Sequence, residues 1–185
     1  MNRLDNVGKS LERMEKIDKT SYKDIKPKTD MTLREAETKI KSMYRKTPEH
    51  IKTINESLEG KTYPETNVMY RKNNIAIEGK LKEGVFPKFN SKFDVILPKE
   101  YWKQSSEKQF SFCMNPLKNK VEQNPDWAKK NFTPRQLAQI EYGGPRIDGY
   151  VWHHNEQPGK MQLVDRKIHE TCRHTGGNSL WGNNC

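Results

Sequence analysis

A closely spaced series of strand, turn and helix signals in the last quarter of the chain restricts its fold more than any other feature. The run GYVWHH (149–154) is followed by the turn sequence QPGK and by a second apolar run, MQLV (161–164). Short β-branched and aromatic runs bounded by turn residues are typical of β-strands. Asp165 then provides an N-cap for a helix, RKIHETCRH, which the glycine pair after it is expected to terminate. The sequence therefore predicts a ββα unit at 149–177.

Histidines are concentrated in this unit. The chain has five histidines, and four of them are His153, His154, His169 and His174. A buried imidazole needs hydrogen-bond partners, so histidine is a poor filler for a core. Adjacent residues on a strand point to opposite faces, so the first two rings are expected to have different roles. One ring can hold a metal ion while the other faces a substrate.

This arrangement suits hydrolysis of a phosphodiester bond. A divalent ion binds a phosphate oxygen and stabilises the leaving alkoxide, and a neutral imidazole with a pKa of roughly 6.5 takes a proton from water. A structural zinc site, or two unrelated pairs of polar side chains, is the alternative interpretation. Cys172, three positions after His169, is a geometrically possible zinc ligand, but a free cysteine is more often a small buried residue.

The segment GYVWHHNEQPGKMQLVDRKIHETCRHTGG resembles the WHH branch of the HNH/endonuclease VII nuclease superfamily. The matching features are Trp-His-His, the MQLV strand, the two helix histidines and the trailing His-Thr-Gly-Gly. A weaker similarity extends upstream through GVFPKFNSKFDVILP to FTPRQLAQIEYG, so that the resemblance covers 62–182. Members of this branch are mostly C-terminal toxin domains of bacterial polymorphic toxin systems. The resemblance implies a ββα-metal (HNH, or His-Me finger) core.

The resemblance also implies roles for individual residues. It makes metal ligands of His153, His169 and His174, and it makes His154 the general base that activates water. The middle Asn of the HNH name has no clear counterpart here. Gln162 on the second strand is the candidate for that catalytic position, and Asn155 is the alternative. The metal is one divalent ion, with Zn, Mg, Mn and Ni left open; imidazole ligands favour the transition metals.

The spacing of the two helix histidines raises a geometric difficulty. Five residues apart on a regular helix, His169 and His174 point roughly 140° away from each other. Both can face one ion only if the helix has ended or is distorted by His174. If the helix continues, His174 is expected to contact a phosphate instead, and a water fills its coordination site.

Other residues near the motif have candidate roles. Trp152 is expected to be structural and to pack the strand onto the helix. Gly176 and Gly177 either let backbone N–H groups approach a phosphate or cap the helix. Three arginines are candidate phosphate contacts because a guanidinium binds phosphate through two hydrogen bonds: Arg146, Arg166 and Arg173.

Upstream of the motif the sequence predicts an α+β arrangement. A helix with a Thr32–Glu35 capping box is expected over TLREAETKIKSMYRK, and a second helix over PEHIKTINESLEG (48–60). Alternating short apolar runs predict a small β-layer over 62–100. Residues 106–122 are compatible with a helix around Pro116. A short helix is expected over TPRQLAQIEYG (133–143), with Thr133 as N-cap, Pro134 at its first position and Gly143 at its end.

These elements divide the chain into two parts. Residues 1–61 are expected to form a helical linker or the tail of a delivery region, and residues 62–185 the nuclease domain. The net charge of +10 favours an anionic partner. For a nuclease, DNA is the expected substrate and RNA the alternative, a choice that the charge does not decide. No apolar run is long enough to span a membrane, and the polar N-terminus is unlike a signal peptide. The three cysteines lack metal-site or disulfide spacing and are interpreted as reduced thiols.

The resemblance implies a biological setting as well. The domain is expected at the end of a longer secreted or delivered toxin, acting in the cytoplasm of a target cell and neutralised by an immunity protein. A housekeeping HNH nuclease is one alternative. A nucleic-acid-binding module with a structural zinc, which binds without cleaving, is the other.

Overall fold

The computed structural model describes residues 32–44 and 47–183, and the predictions for residues 1–31 lie outside this range. The described residues divide between a unit that ends at Lys41 and a larger, compact unit, Ser42–Cys185. Helix α1, Leu33–Tyr44, begins at the predicted capping box. The Thr32 hydroxyl accepts a hydrogen bond from the Glu35 N–H, and the Glu35 carboxylate accepts one from the Thr32 N–H at 2.6 Å. The first predicted helix is therefore confirmed.

Two three-stranded sheets form the larger unit. The strands are β1 Glu49–His50, β2 Met69–Ile77, β3 Lys80–Lys88, β4 Ser91–Ile96, β5 Tyr150–His154 and β6 Lys160–Asp165. The orders are β1-β3-β2 and β4-β6-β5. β1 pairs with β3 in parallel, and the other pairs are antiparallel.

Four helices accompany the sheets: α2 Ser106–Gln123, α3 Pro125–Asn131, α4 Pro134–Tyr142 and α5 Arg166–Thr171. Short 3₁₀ turns occur at Glu56–Leu58, Lys99–Tyr101 and Gly177–Ser179. Thr133 is the N-cap of α4, as predicted, and it also forms a capping box in which Thr133 and Gln136 are bonded reciprocally. It ends at Gly143, whose φ of 80° suits glycine. These elements confirm the α+β class, and β5, β6 and α5 form the predicted ββα unit.

Two local predictions are wrong. The segment 48–60 is not a helix: it holds β1 and a 3₁₀ turn, because the carbonyl of Glu83 on β3 accepts the Ile51 N–H at 2.8 Å. Pairing with β3 thus overrides helix propensity. The segment 62–100 is not one β-layer either. β2 and β3 form a hairpin, whereas β4 pairs with β6 of the other sheet.

The β5–β6 pair lies between two apolar clusters, which fixes its position. Trp152, Met161 and Leu163 face a cluster that includes Met114 of α2 and Ile140 of α4.

Residues on the opposite face of the pair belong to the second cluster. Val164 packs there with Tyr70, Phe89 and Cys172, and Ile168 of α5 covers it. Alternation along each strand therefore sends neighbouring residues into different environments. In the described part of the chain, no helix is both long and apolar enough to cross a bilayer.

Candidate metal centre

Three imidazole nitrogens converge on one point at the junction of β5 and α5. Nδ1 of His153 lies 3.2 Å from Nε2 of His169 and 3.4 Å from Nε2 of His174. All three nitrogens lie within 4.8 Å of one another. His153 is 3% exposed, so the group is sheltered from water.

These distances fit a single metal ion. A tetrahedral ion with metal–nitrogen bonds of about 2.0–2.1 Å places its ligand nitrogens about 3.3–3.4 Å apart. Among the described residues, the group contains three ligands, and three protein ligands with a fourth position open are typical of a catalytic rather than a structural zinc site. The three histidines can therefore hold one metal ion.

His174 reaches this point because the helix has ended. α5 ends at Thr171, and Cys172 already has an extended conformation with φ −81° and ψ 91°. The geometric condition for a shared ion is thus met. The prediction that Gly176 and Gly177 terminate the helix is wrong, however, because the helix already ends at Thr171.

The chain after α5 is held by residues from outside the ββα unit. The carbonyl oxygen of Arg173 accepts hydrogen bonds from the Tyr70 hydroxyl at 2.7 Å and from the Asn55 side-chain amide. The Thr175 hydroxyl accepts the Ile54 N–H at 2.9 Å. These contacts compete with continuation of the helix and carry His174 to the other two histidines.

Neighbouring groups orient the rings. Nδ1–H of His174 donates to the Cys172 carbonyl, so its Nε2 lone pair faces the centre. The Phe89 ring packs against all three imidazoles, with centroid distances of 4.9, 5.3 and 5.2 Å to His153, His169 and His174. Phe89 was not identified as a site-forming residue from sequence, and Cys172 was considered only as a zinc ligand or a small buried residue.

Burial keeps these imidazoles neutral. It lowers the pKa of His153 well below 6.5, and positive charge on its histidine neighbours lowers it further. Burial also lowers the pKa of His169 to about 4. The pKa of His174 is lowered by burial, against smaller opposing effects of the Cys172 hydrogen bond and the Glu156 carboxylate. Neutral imidazoles are the form that binds metals.

His154 projects from the other face of β5, as the alternation predicts. It is 7% exposed, and its Nε2 lies 2.6 Å from the side-chain oxygen of Gln109. Its ring packs against Phe110 and Trp181. Burial lowers the pKa of His154 to about 4, so the ring is neutral at pH 7 and has one nitrogen lone pair.

The two candidates for the Asn position are joined to each other. Gln162 lies opposite His153 on the neighbouring strand, and its side-chain oxygen accepts a hydrogen bond from Asn155 at 2.9 Å. Its amide nitrogen donates to Asp94 at 3.2 Å. Neither of them bonds to His154, whose Nε2 instead forms a hydrogen bond with the side-chain oxygen of Gln109 on α2. No sequence signal marked Gln109.

The structure places the predicted structural tryptophan and the three candidate phosphate-binding arginines in different environments. Trp152 is buried with residues of α2 and α4 rather than α5. Arg166 donates to the Tyr150 carbonyl at 3.0 Å, while Arg146 and Arg173 are exposed. Cys172 is a buried free thiol in the second apolar cluster and is not part of the histidine group.

An ion pair between a buried carboxylate and an exposed lysine next to the centre was also missed. Glu156 is 2% exposed and accepts hydrogen bonds from Lys88 at 2.6 Å and Asn73 at 2.8 Å. The sequence feature that could have identified Glu156 is its position two residues after His154. A carboxylate so close to a predicted buried strand needs a positively charged or hydrogen-bonding partner.

Gly177 has a packing role. A Cβ atom there would lie 2.0 Å from the Asn155 carbonyl oxygen and 2.3 Å from Trp181 Nε1, whose N–H donates to that same oxygen. At Gly176 the nearest atom, the His154 carbonyl oxygen, would be 3.4 Å away. The close approach at Gly177 allows the segment after α5 to fold back over β5.

Comparison with known proteins places this geometry in a family context. Residues 78–176 match the family model described as the DNase/tRNase domain of colicin-like bacteriocin. The matched range runs from the β2–β3 turn through the last histidine of the metal group. Neither the curated proteins nor the solved structures provide a significant match.

Proposed function

The chain belongs to the family of DNase/tRNase domains of colicin-like bacteriocins, and on this basis we propose that it is a metal-dependent endonuclease of the HNH type, WHH branch. The observation that carries the proposal is the convergence of His153, His169 and His174 on one point, at spacings that a single metal ion allows, with His154 next to His153 on the same strand. The proposed reaction is hydrolysis of a phosphodiester bond, with DNA as the favoured substrate.

The division of labour follows from the two faces of β5. His153, His169 and His174 hold the divalent ion, which when bound supplies positive charge to the scissile phosphate and the leaving oxygen. His154 takes the proton from the attacking water, which its neutral ring allows at pH 7. Gln162, linked to Asn155 and Asp94, is proposed to fill the position of the HNH Asn.

Charge supports a nucleic-acid substrate. The chain carries a net charge of +10, which attracts a polyanion and releases its counterions on binding. Exposed Arg146 and Arg173 are the proposed phosphate contacts. Arg166 has the same proposed role, with part of its guanidinium held by the Tyr150 carbonyl.

The family supports a toxin setting. We propose that the domain is delivered into a rival cell as part of a longer toxin, acts in that cell's cytoplasm and is neutralised at home by an immunity protein. Residues 1–61 would then be a linker or the tail of the delivery region, with 62–185 as the nuclease domain. Ile54 and Asn55, which lie near this boundary, form hydrogen bonds with Thr175 and Arg173 in the chain after α5.

Plasmid nicking with added Mg²⁺, Mn²⁺, Ni²⁺ or Zn²⁺, with and without EDTA, tests the activity. Cleavage that requires metal and falls by at least about 10²-fold in His154→Ala is the expected result. His50→Ala is the matched control, since His50 is exposed on β1 and pairs with Glu56. Binding of DNA without cleavage under all metals would support the structural-zinc alternative. Matched RNA and tRNA substrates distinguish DNase from RNase activity.

A further inference from the structure

The side chain of Gln109 is a buried polar group that has no role in the proposed reaction as described above. It lies on α2, is 0% exposed and approaches β5 from outside the ββα unit. A buried amide must have its hydrogen bonds satisfied. Its partners therefore reveal which way its two ends point.

Two carbonyl groups fix the orientation of this amide. The Gln109 nitrogen donates to the carbonyl oxygens of Tyr101 at 2.9 Å and Trp102 at 2.7 Å. Carbonyl oxygens only accept hydrogen bonds, so the amide nitrogen must be on that side. The amide oxygen consequently faces His154, and it can only accept.

This orientation determines which nitrogen of His154 carries hydrogen. At 2.6 Å from the Gln109 oxygen, Nε2 of His154 must donate. A neutral imidazole has one N–H, so its Nδ1 is then the acceptor. Phe110 and Trp181 flank the ring, at centroid distances of 5.8 and 5.5 Å.

We propose that Gln109 is a positioning residue that holds His154 in the Nε2–H tautomer, leaving the Nδ1 lone pair to accept the proton from water. The inference rests on the proposed role of His154 as the general base. Gln109 acts through His154 and does not touch the substrate. Without its acceptor, the ring can hold hydrogen on Nδ1, and a protonated Nδ1 cannot act as a base.

The direct test is ¹⁵N NMR of the imidazole of His154 in the full chain, with and without Zn²⁺. The nitrogen shifts are expected to show a protonated Nε2 and an unprotonated Nδ1 in the wild type. The opposite tautomer in the wild type would overturn the proposal. This readout needs neither a variant nor cleavage.

A variant connects the tautomer to the reaction. Gln109→Met preserves length but removes the acceptor, and it should mix the tautomers and lower kcat by about 10- to 100-fold, with KM and Zn²⁺ affinity unchanged. Gln104→Met, at an exposed glutamine before the same helix, is the control. A folded Gln109→Met protein with an unchanged tautomer and kcat would overturn the proposal. The wild type could show the expected tautomer and yet cleave neither DNA nor RNA. The proposed function, and with it the catalytic role of Gln109, would then be wrong, but the hydrogen bond between Gln109 and His154 would be confirmed.

Discussion

Nε2 of His174 lies 3.4 Å from Nδ1 of His153, although α5 has already ended at Thr171. The two residues meet because the intervening chain leaves the helix and is held by side chains of the N-terminal half. The candidate metal centre is thus built by the ββα unit together with Asn55 and Tyr70. The hydrogen bonds that hold this segment should matter for metal binding even though they do not touch the metal.

Replacing Tyr70 with Phe should weaken the site. Its hydroxyl is buried and donates to the Arg173 carbonyl at 2.7 Å, and burial raises the Tyr70 pKa to about 12, so it remains a donor. Tyr70→Phe should cost about 1 kcal/mol of stability, since Asn55 still satisfies the carbonyl, and should lower Zn²⁺ affinity several-fold. Urea unfolding and Zn²⁺ titration measure both effects. Tyr142→Phe, at a residue 89% exposed, should change neither; unchanged affinity in Tyr70→Phe would contradict this prediction.

The two adjacent glycines should respond differently to alanine. Gly177→Ala would place a methyl group 2.0 Å from the Asn155 carbonyl oxygen, so backbone must move. We expect a loss of roughly 2 kcal/mol or more of unfolding free energy. Gly176→Ala makes only contacts of 3.4 Å or longer and should be close to wild type in stability. Thermal unfolding of both variants measures the difference. Equal stability of the two variants would contradict the close packing at Gly177.

Acidification in EDTA should destabilise the protein. Burial lowers the pKa values of His154 and His169 to about 4, whereas in the unfolded chain they titrate near 6.5. The unfolded state therefore binds more protons between these values, so stability is highest above about pH 6.5 and falls as pH decreases toward 4. Each histidine contributes up to about 1.4 kcal/mol per pH unit in that window.

Urea unfolding at pH 7 and pH 5 measures this slope. His154→Gln, which removes one of the buried imidazoles, should make the slope shallower. A free energy of unfolding that does not change between these pH values would be inconsistent with neutral, buried histidines.

The ββα unit was predictable from sequence because its signals are local. Asp165 caps α5 as expected, its side chain accepting the Ile168 N–H at 2.9 Å, and strand alternation placed His153 and His154 on opposite faces. The signals for α4 were equally local: Thr133 at its N-cap, Pro134 in its first turn and Gly143 at its end. These features depend on residues within a few positions of one another, which a sequence displays directly.

The remaining features depend on contacts distant in sequence. The segment 48–60 has helix-forming residues, but its strand β1 pairs with β3. β4 follows β3 in sequence but pairs with β6 of the other sheet. Gln109 is 45 positions from His154, and nothing in the residues around it marks the contact. The end of α5 likewise follows from Tyr70 and not from the glycines after it.

Calorimetric titration of the full chain with Zn²⁺ tests the central claim most directly. One ion per chain is the predicted stoichiometry, with affinity lowered at least about tenfold by alanine at any of three positions: His153, His169 or His174. His154→Ala should bind like the wild type, because its ring faces Gln109 on the other side of β5. No saturable binding by the wild type, or unaltered binding after loss of His169, would contradict the account.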